Sequence, residues 1–205
     1  GDTGTNMSKT IESGIAKINE LDNASVATIA ASFAKGMPFG ARGNSGVILS
    51  QFFAGLCSSI EKETAVGAIE LARAYEAGVK RAYLAVAEPV EGTILTVIRE
   101  ATDYACGIGA KDSSEFLAAF ITEAKASLER TPELLSTLKD AGVVDSGGAG
   151  LVCFVEGMYA HLCGESIEDT PDFADSMASA AVSSTFGPDS QLEYGYCTEF
   201  ILQLM

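Results

Sequence analysis

Apolar residues recur every three or four positions along most of the chain, the spacing that places them on one face of an α-helix. Seven stretches show this period: 7–18, 26–33, 48–60, 69–86, 94–105, 117–128 and 151–162. No convincing alternation of apolar and polar residues, as in a half-buried strand, occurs before residue 190. The pattern therefore predicts an all-α fold.

Residues with strong positional preferences mark where these helices begin and end. Asp112, followed three residues later by Glu115, predicts a capped helix start. Thr131 before Pro132 predicts a further start, because proline is favoured at the first helical position. Three glycines predict helix ends, namely Gly36, Gly142 and Gly164. With these boundaries, about eight amphipathic helices are expected.

The composition changes after residue 164. Residues 164–190 contain six acidic residues, six serines and two prolines, without Lys or Arg, which is typical of a solvated linker. Residues 194–204 regain aromatic and β-branched character and predict a strand. We therefore expect a helical domain at 1–164, a linker at 165–190 and the start of a second domain at 191–205.

The net charge argues against polyanionic partners. The chain has 13 basic and 28 acidic residues, hence a net charge of −15, and shows no basic cluster. Nucleic acids and anionic membrane surfaces would therefore be repelled. No apolar run approaches the length of a membrane-spanning helix, and no signal-peptide pattern opens the chain, so a cytoplasmic protein is predicted. The five scattered cysteines form no C-x-x-C pair, which predicts free thiols, mostly buried.

Three glycine-rich segments, 1–6, 40–46 and 142–150, each lead into an apolar helix. Helix starts carry unpaired N–H groups and a partial positive charge, and glycine lets a ligand approach the backbone, so such turns suit phosphate. A single turn of this kind is more often only a helix boundary, but three together predict a nucleotide site. None has the lysine of a Walker A loop, and no strand precedes them as in a dinucleotide fingerprint.

Positive charge for a triphosphate would then come mainly from Mg²⁺. Asp2, flanked by Thr and Asn oxygens, suits this hard cation. Arg42 is the only basic residue within the three segments. Asp145 begins the third helix and is as well explained by a simple N-cap as by a functional role.

Four ordered motifs carry a resemblance to a known family. They are GDTGTNM at 1–7, GARGNSGVILSQ at 40–51, EPVEGTIL at 88–95 and GVVDSGG at 142–148. Together they resemble the nucleotide-binding domain shared by dihydroxyacetone kinases and bacterial fatty acid kinases. YGYCTEF at 194–200 is similar to the start of the domain that follows in fatty acid kinases, which favours that branch.

The resemblance implies a barrel or bundle of antiparallel helices with ATP or ADP at one end. Asp2 matches one of the aspartates that hold two Mg²⁺ ions, and the other acidic ligands would precede Gly1, so an N-terminal part is expected to be missing. The implied nucleotide-binding residues are Thr3, Gly4, Thr5, Asn6, Asn44, Ser45, Gly46, Thr93, Ile94, Leu95, Asp145, Ser146 and Gly147.

The expected reaction is phosphoryl transfer, for which Asp2 and Arg42 are the candidate catalytic residues. Arg42 would stabilise the transferring phosphoryl group, unless it only pairs with an acidic neighbour. Arg130 is a further candidate for contacting the nucleotide, whereas the single histidine, His161, is read as structural. A fatty acid carboxylate, presented by a separate fatty-acid-binding carrier protein, needs no general base.

Two alternatives stay open at this point. One is a dihydroxyacetone-kinase-type subunit that phosphorylates a triose hydroxyl. The other is a nucleotide-binding regulatory domain without turnover. Whether the chain forms a homodimer is also open.

Overall fold

The computed structural model describes residues 3–22 and 24–165, and the expected linker and strand lie outside this range. The described residues form eight helices and no strand. These are α1 (Thr3–Ile18), α2 (Val26–Gly40), α3 (Gly43–Ser59), α4 (Ala68–Leu84), α5 (Ile94–Gly107), α6 (Ser113–Leu134), α7 (Ser136–Ala141) and α8 (Ser146–Leu162). The predicted all-α class is thereby confirmed. The proposed division at residues 164 and 190 stays a prediction.

Neighbouring helices run antiparallel. Along the α3–α4 contact, Gly55 faces Gly78 while Gln51 lies four residues earlier and bonds Arg81. Every helix packs against the next one in the chain up to α7, and α8 closes the bundle by packing on α1, α5 and α6. Because alternate helices point the same way, α1, α3 and α5 begin at one end of the bundle.

Aromatic rings fill the middle of the bundle. Tyr75 of α4 is buried and meets Phe52, Phe116 and Phe120 edge-on, with centroid separations of 5.5, 5.2 and 4.9 Å. Edge-to-face contacts of this kind add about 0.5–1.5 kcal/mol each to the burial itself. The α3, α4 and α6 helices are thus held at fixed separations.

The expected helix end at Gly36 is wrong, because Gly36 lies inside α2. The reason is contact between helices: a Cβ at Gly36 would lie 2.6 Å from the carbonyl oxygen of Ser13 on α1. The Ser13 hydroxyl also donates to the Gly36 carbonyl at 2.9 Å. This glycine therefore serves the close approach of α1 and α2, while Gly142 and Gly164 do follow helix ends, both with positive φ.

The expected helix start at Thr131 and Pro132 is also wrong, since both residues lie within the last turn and a half of α6. Pro132 cannot donate to the carbonyl of Leu128 four residues back. The Thr131 hydroxyl donates to that carbonyl instead, at 2.7 Å. The helix therefore continues past the proline. The start predicted at Asp112 is confirmed, since its carboxylate accepts from the N–H of Glu115 at 2.8 Å.

The four described cysteines are free, as expected, but only Cys57 is buried. Burial raises the pKa of the Cys57 thiol to about 11, which suits an unreactive packing residue. Cys163, in contrast, is exposed at the end of α8. Among the described helices, none has the length and apolar character needed to span a membrane.

Candidate nucleotide-binding site

The starts of α3, α5 and α8 meet at one end of the bundle. A Cβ placed on Gly147 would lie 3.3 Å from the Cβ of Ile94 and 3.4 Å from the Oγ of Ser45. Gly147 therefore sits within van der Waals reach of the first turns of two other helices. The second and third glycine-rich segments, separated by about a hundred residues in the sequence, form one surface with the start of α5.

The first glycine-rich segment joins them through α1. A Cβ on Gly46 would lie 2.7 Å from Oγ1 of Thr10, and one on Gly150 would lie 2.6 Å from the sulfur of Met7. Both Thr10 and Met7 are buried on the first two turns of α1. The α1 start is thus placed beside those of α3 and α8. Asp2 lies outside the described residues.

The first turns of these four helices lack acidic side chains. Of the three helices that begin at the opposite end, α4 and α6 carry Glu70 and Glu115 there. An acidic side chain in the first turn neutralises the partial positive charge of a helix start. The α3 start, whose N-cap residue is not acidic either, is thus left able to accept an anion from outside, whereas α8 carries the Asp145 carboxylate at its N-cap position.

The α3 start is the most open of them. Arg42 occupies its N-cap position, and its side chain makes no capping hydrogen bond. Asn44 is exposed and Ser45 is half-buried, so both can be reached from solvent, while Gly46 is buried against α1. Backbone N–H groups in this turn have no carboxylate or hydroxyl of the N-cap residue to satisfy them. The turn thus has the properties of a phosphate site.

The α8 start is instead capped from within. Asp145 is its N-cap, and its Oδ2 accepts from the N–H of Gly148 at 2.7 Å. Burial raises the pKa of Asp145 above its usual value, although the N–H groups of Gly148, Ile94 and Gly147 act in the opposite direction. Ile94, the first residue of α5, lies beside this turn, since a Cβ on Gly147 would be 3.3 Å from the Cβ of Ile94. The N-cap role expected for Asp145 is therefore confirmed, and its role toward a nucleotide stays a prediction.

The residues at the α5 start contribute in different ways. Thr93 caps the helix, accepting from the N–H of Leu95 at 3.4 Å and donating to the carbonyl of Val90 at 2.7 Å. The side chains of Ile94 and Leu95 are only 3% and 2% exposed and belong to the core. Thr93 is the half-buried residue of the three that presents a polar group near the surface.

The two candidate arginines differ in their partners. Arg42 is exposed, donates to the carbonyl of Ala41 at 2.8 Å and forms no ion pair within the described residues. Arg130 is bound to the carboxylates of Glu100 and Glu123 at 2.7 and 2.6 Å. Arg42 is therefore available to an incoming anion, whereas Arg130 would first have to leave two carboxylates.

Two residues that support the site give little signal in the sequence. The Oγ1 of Thr131 accepts from the N–H of Asp145 at 3.1 Å, which fixes the α8 start against α6. Gly92 has a φ of +81°, and a Cβ there would lie 2.9 Å from the Thr131 carbonyl oxygen. Gly92 could be suspected from its place before a capping threonine, but nothing in the sequence marks Thr131 as part of the site.

Comparison with known families agrees with this arrangement. Residues 1–160 match the model of the DAK2 domain, a helical domain of kinase-type phosphotransferases. The chain belongs to the DAK2 domain family.

Its relatives are longer proteins. The chain is 44% identical to Protein YloV of Bacillus subtilis over 211 residues, which cover 100% of the chain and 38% of YloV. An uncharacterized protein of Staphylococcus haemolyticus is 43% identical, with 99% of the chain and 38% of that protein covered. An uncharacterized protein of Staphylococcus epidermidis is 44% identical, again with 99% of the chain and 38% of that protein covered. The chain thus spans little more than a third of these relatives.

Proposed function

We propose that this domain binds ATP with Mg²⁺ and transfers the γ-phosphate to the carboxylate of a fatty acid, which a separate fatty-acid-binding carrier protein presents. The observation that carries this proposal is the meeting of four helix starts in a DAK2 domain, among them the α3 start, which no side chain caps. The product would be an acyl phosphate, released together with ADP.

The phosphates would be held chiefly by α3 and α1. The N–H groups around Asn44, Ser45 and Gly46 would donate hydrogen bonds to phosphate oxygens, with Thr3–Asn6 of α1 alongside. Asp145, Ser146 and Gly147 would close the site from α8, with Asp145 keeping that turn in place by its internal hydrogen bonds. The Thr93 side of the α5 start would border the nucleoside.

The magnesium ligands are proposed at Asp2 and at the phosphates themselves. In the part of the chain that the structure describes, no group of three His, Cys, Asp or Glu residues could hold a metal. Mg²⁺ is usually bound through one or two carboxylates together with phosphate oxygens and water, which fits Asp2 and the nucleotide phosphates as its ligands. When bound, the ion would neutralise phosphate charge, which Arg42 would supplement beside the transferring group.

The distance of the only histidine from the site fits a carboxylate acceptor. His161 is the chain's only histidine and lies 15 residues beyond Ser146 on α8. At about 1.5 Å per residue, it stands roughly 22 Å from the site. A carboxylate is already ionised at neutral pH and can attack without losing a proton.

The polar character of the site supports a carrier. The residues that border it include Asn6, Asn44 and Ser45 among glycine turns. Such turns offer hydrogen bonds to phosphate but no long apolar lining for an acyl chain. A carrier protein that holds the acyl chain in its own interior and exposes the carboxylate would bring the acceptor to the site without such a lining. The YGYCTEF segment at 194–200, outside the described residues, is the sequence basis for preferring the fatty acid over a triose.

The experiment uses the full-length protein in two steps. Calorimetric titration with ADP, with and without Mg²⁺, tests the nucleotide site. ADP release is then measured with a fatty-acid-loaded carrier and, separately, with a dihydroxyacetone-loaded subunit. Release with the fatty acid alone supports the proposal. Release with the triose alone identifies the dihydroxyacetone-kinase type, and binding without release in either assay identifies a regulatory domain.

A substitution tests the metal site. Asp2→Asn is expected to abolish ADP release and the Mg²⁺ dependence of ADP binding. Asp22→Asn, at an exposed position after α1, is the matched control and should behave as the wild type. Retention of turnover by Asp2→Asn would remove Asp2 from the metal site.

A further inference from the structure

A second cluster of polar side chains lies beside the α5 start and, within the described part of the chain, forms no hydrogen bond or ion pair with the residues assigned to phosphate. Glu91 is at its centre. Its Oε1 accepts from the hydroxyl of Tyr83 at 3.0 Å, and its Oε2 accepts from the Thr96 hydroxyl at 2.6 Å and from Arg99 at 2.8 Å. Arg99 also donates to the Tyr83 oxygen at 3.0 Å. We call these four residues the Glu91 cluster.

The cluster fixes the turn that precedes α5. Thr96 is fully buried, and because its hydroxyl donates to Glu91, its lone pairs are left to accept the N–H of Gly92 at 2.8 Å. Without the carboxylate, the Thr96 hydroxyl would lose the acceptor for its proton. Glu91 therefore fixes the orientation of this buried hydroxyl, with its proton toward the carboxylate and its lone pairs toward the N–H of Gly92.

The other side of the same turn is held by α6. Gly92 adopts a φ of +81°, and a Cβ there would lie 2.8 Å from the Cβ of Leu135 and 2.9 Å from the Thr131 carbonyl oxygen. The turn is thus confined between α6 and the Glu91 cluster. Two residues later comes Ile94, whose Cβ lies 3.3 Å from the position of a Cβ on Gly147 at the start of α8. A shift at Gly92 would move Ile94 and, with it, the contact between α5 and α8.

We propose that Glu91 is a positioning residue of the nucleotide site, which acts through Thr96 and Gly92 to fix the α5 start against the start of α8. The proposal rests on the proposed nucleotide-binding function. Glu91 has no direct contact with ligand in this scheme. Its effect is to keep the start of α5 in a single arrangement, so that no ordering is required when a nucleotide binds.

The Glu91 cluster differs from an ordinary surface ion pair because its carboxylate also bonds the buried hydroxyl of Thr96. The chain supplies a comparison in Glu63, which binds Arg73 at 2.6 Å beyond the far end of α3. Its side chain is 33% exposed, against 48% for Glu91. Glu63, however, holds no buried hydroxyl and no turn of the site. Loss of Glu63 removes a similar charge pair without touching the α5 start, which makes it the matched control.

The test compares ADP binding and local amide exchange in the full-length protein. The variants are Glu91→Ala, Glu63→Ala and the conservative Glu91→Gln, whose amide oxygen can still accept from Thr96. Isothermal titration gives the dissociation constant for ADP with Mg²⁺. Hydrogen exchange of the amides of residues 92–95 reports the α5 start in the free protein, and thermal melting reports global stability.

Glu91→Ala is expected to raise the dissociation constant about tenfold, equivalent to about 1.4 kcal/mol, and to speed exchange at 92–95. The ADP affinity of Glu63→Ala should stay within about twofold of the wild type, even if its melting temperature falls as much as that of Glu91→Ala. Glu91→Gln should recover most of the affinity. Recovery by the amide is not expected if Glu91 acts only through its charge.

Equal affinities of Glu91→Ala and the wild type would overturn the proposal, as would an equal loss in Glu63→Ala. Faster exchange at 92–95 without any loss of affinity would overturn it as well, because the turn would then be loosened without consequence for the ligand. Failure of the wild type to bind ADP at all would refute the nucleotide site itself. That result is distinguishable from failure of the Glu91 proposal alone, in which the wild type binds.

Discussion

The backbone N–H of Asp145 donates to Oγ1 of Thr131 at 3.1 Å, joining the start of α8 to the last turns of α6. The same hydroxyl donates to the carbonyl of Leu128 that Pro132 leaves without an N–H partner. One buried threonine thus completes α6 and anchors the turn that carries Asp145 and Gly147.

Thr131→Val, which keeps the shape and β-branching, should therefore lower the free energy of unfolding by about 1–3 kcal/mol, the cost of leaving a part-buried N–H without its partner. ADP affinity should fall too, because the α8 turn loses its anchor. Thr122→Val is the control on the same helix, since its exposed hydroxyl also bonds a backbone carbonyl, at 2.8 Å from Ala118. It should change stability by less than about 0.5 kcal/mol in urea denaturation. Equal losses in the two variants would contradict this account.

Gly55 is expected to tolerate no side chain. A Cβ there would lie 2.5 Å from the carbonyl oxygen of Ala77 and 2.9 Å from the Cα of Gly78, so α3 and α4 would have to separate. Gly55→Ala should cost about 1–3 kcal/mol of stability, as overpacking usually does. Gly107→Ala is the control, because a Cβ at the last residue of α5 meets nothing within 4 Å. Denaturation should show Gly107→Ala equal to or more stable than the wild type.

Glu100 should make the stability of the bundle dependent on pH. Burial alone would raise its pKa, but hydrogen bonds from Arg130 and Ser127, each 2.7 Å long, bring the pKa below the ordinary value of 4.5. Ionised Glu100 therefore stabilises the fold fully above pH 4.5, and this contribution is lost as the pH falls through the lower folded pKa.

The measurement is the difference in unfolding free energy between the wild type and Glu100→Gln at a series of pH values. We expect about 1–2 kcal/mol at pH 7, for loss of hydrogen bonds to a charged group, and a smaller difference below pH 4.5. Glu129→Gln, at an exposed position on α6, should show no such trend. A difference for Glu100→Gln that grows toward low pH would refute the assignment.

Arg42 should matter to turnover and not to folding. Its exposed side chain bonds only the neighbouring Ala41 carbonyl among the described residues. Arg42→Ala should have the melting temperature of the wild type. Its rate of ADP release with a loaded carrier should fall about a hundredfold, the usual effect of removing one donor to the transferring group. Lys62→Ala, an exposed cation beyond the other end of α3, should retain full activity. Wild-type rates in Arg42→Ala would exclude contact with the phosphoryl group.

The sequence by itself was sufficient to locate most of the helices and the glycine-rich turns. Apolar spacing is set by the 3.6-residue repeat of each helix, so stripes such as 94–105 and 117–128 could be recognised from neighbouring residues alone. Local capping chemistry was equally readable at Asp112 and at Gly142. The ordered motifs also indicated the family that the comparison then showed.

Only the tertiary structure decided which glycine-rich turns lie next to one another and where some helices end. Gly36 lies within a helix because α1 passes 2.6 Å from where its Cβ would stand, and Thr131 continues α6 because its hydroxyl replaces a missing N–H. The joining of Ser45, Ile94 and Gly147 depends on contacts between helices that are far apart in the chain. Local periodicity carries no information on such contacts, since they follow from the packing of whole helices against one another.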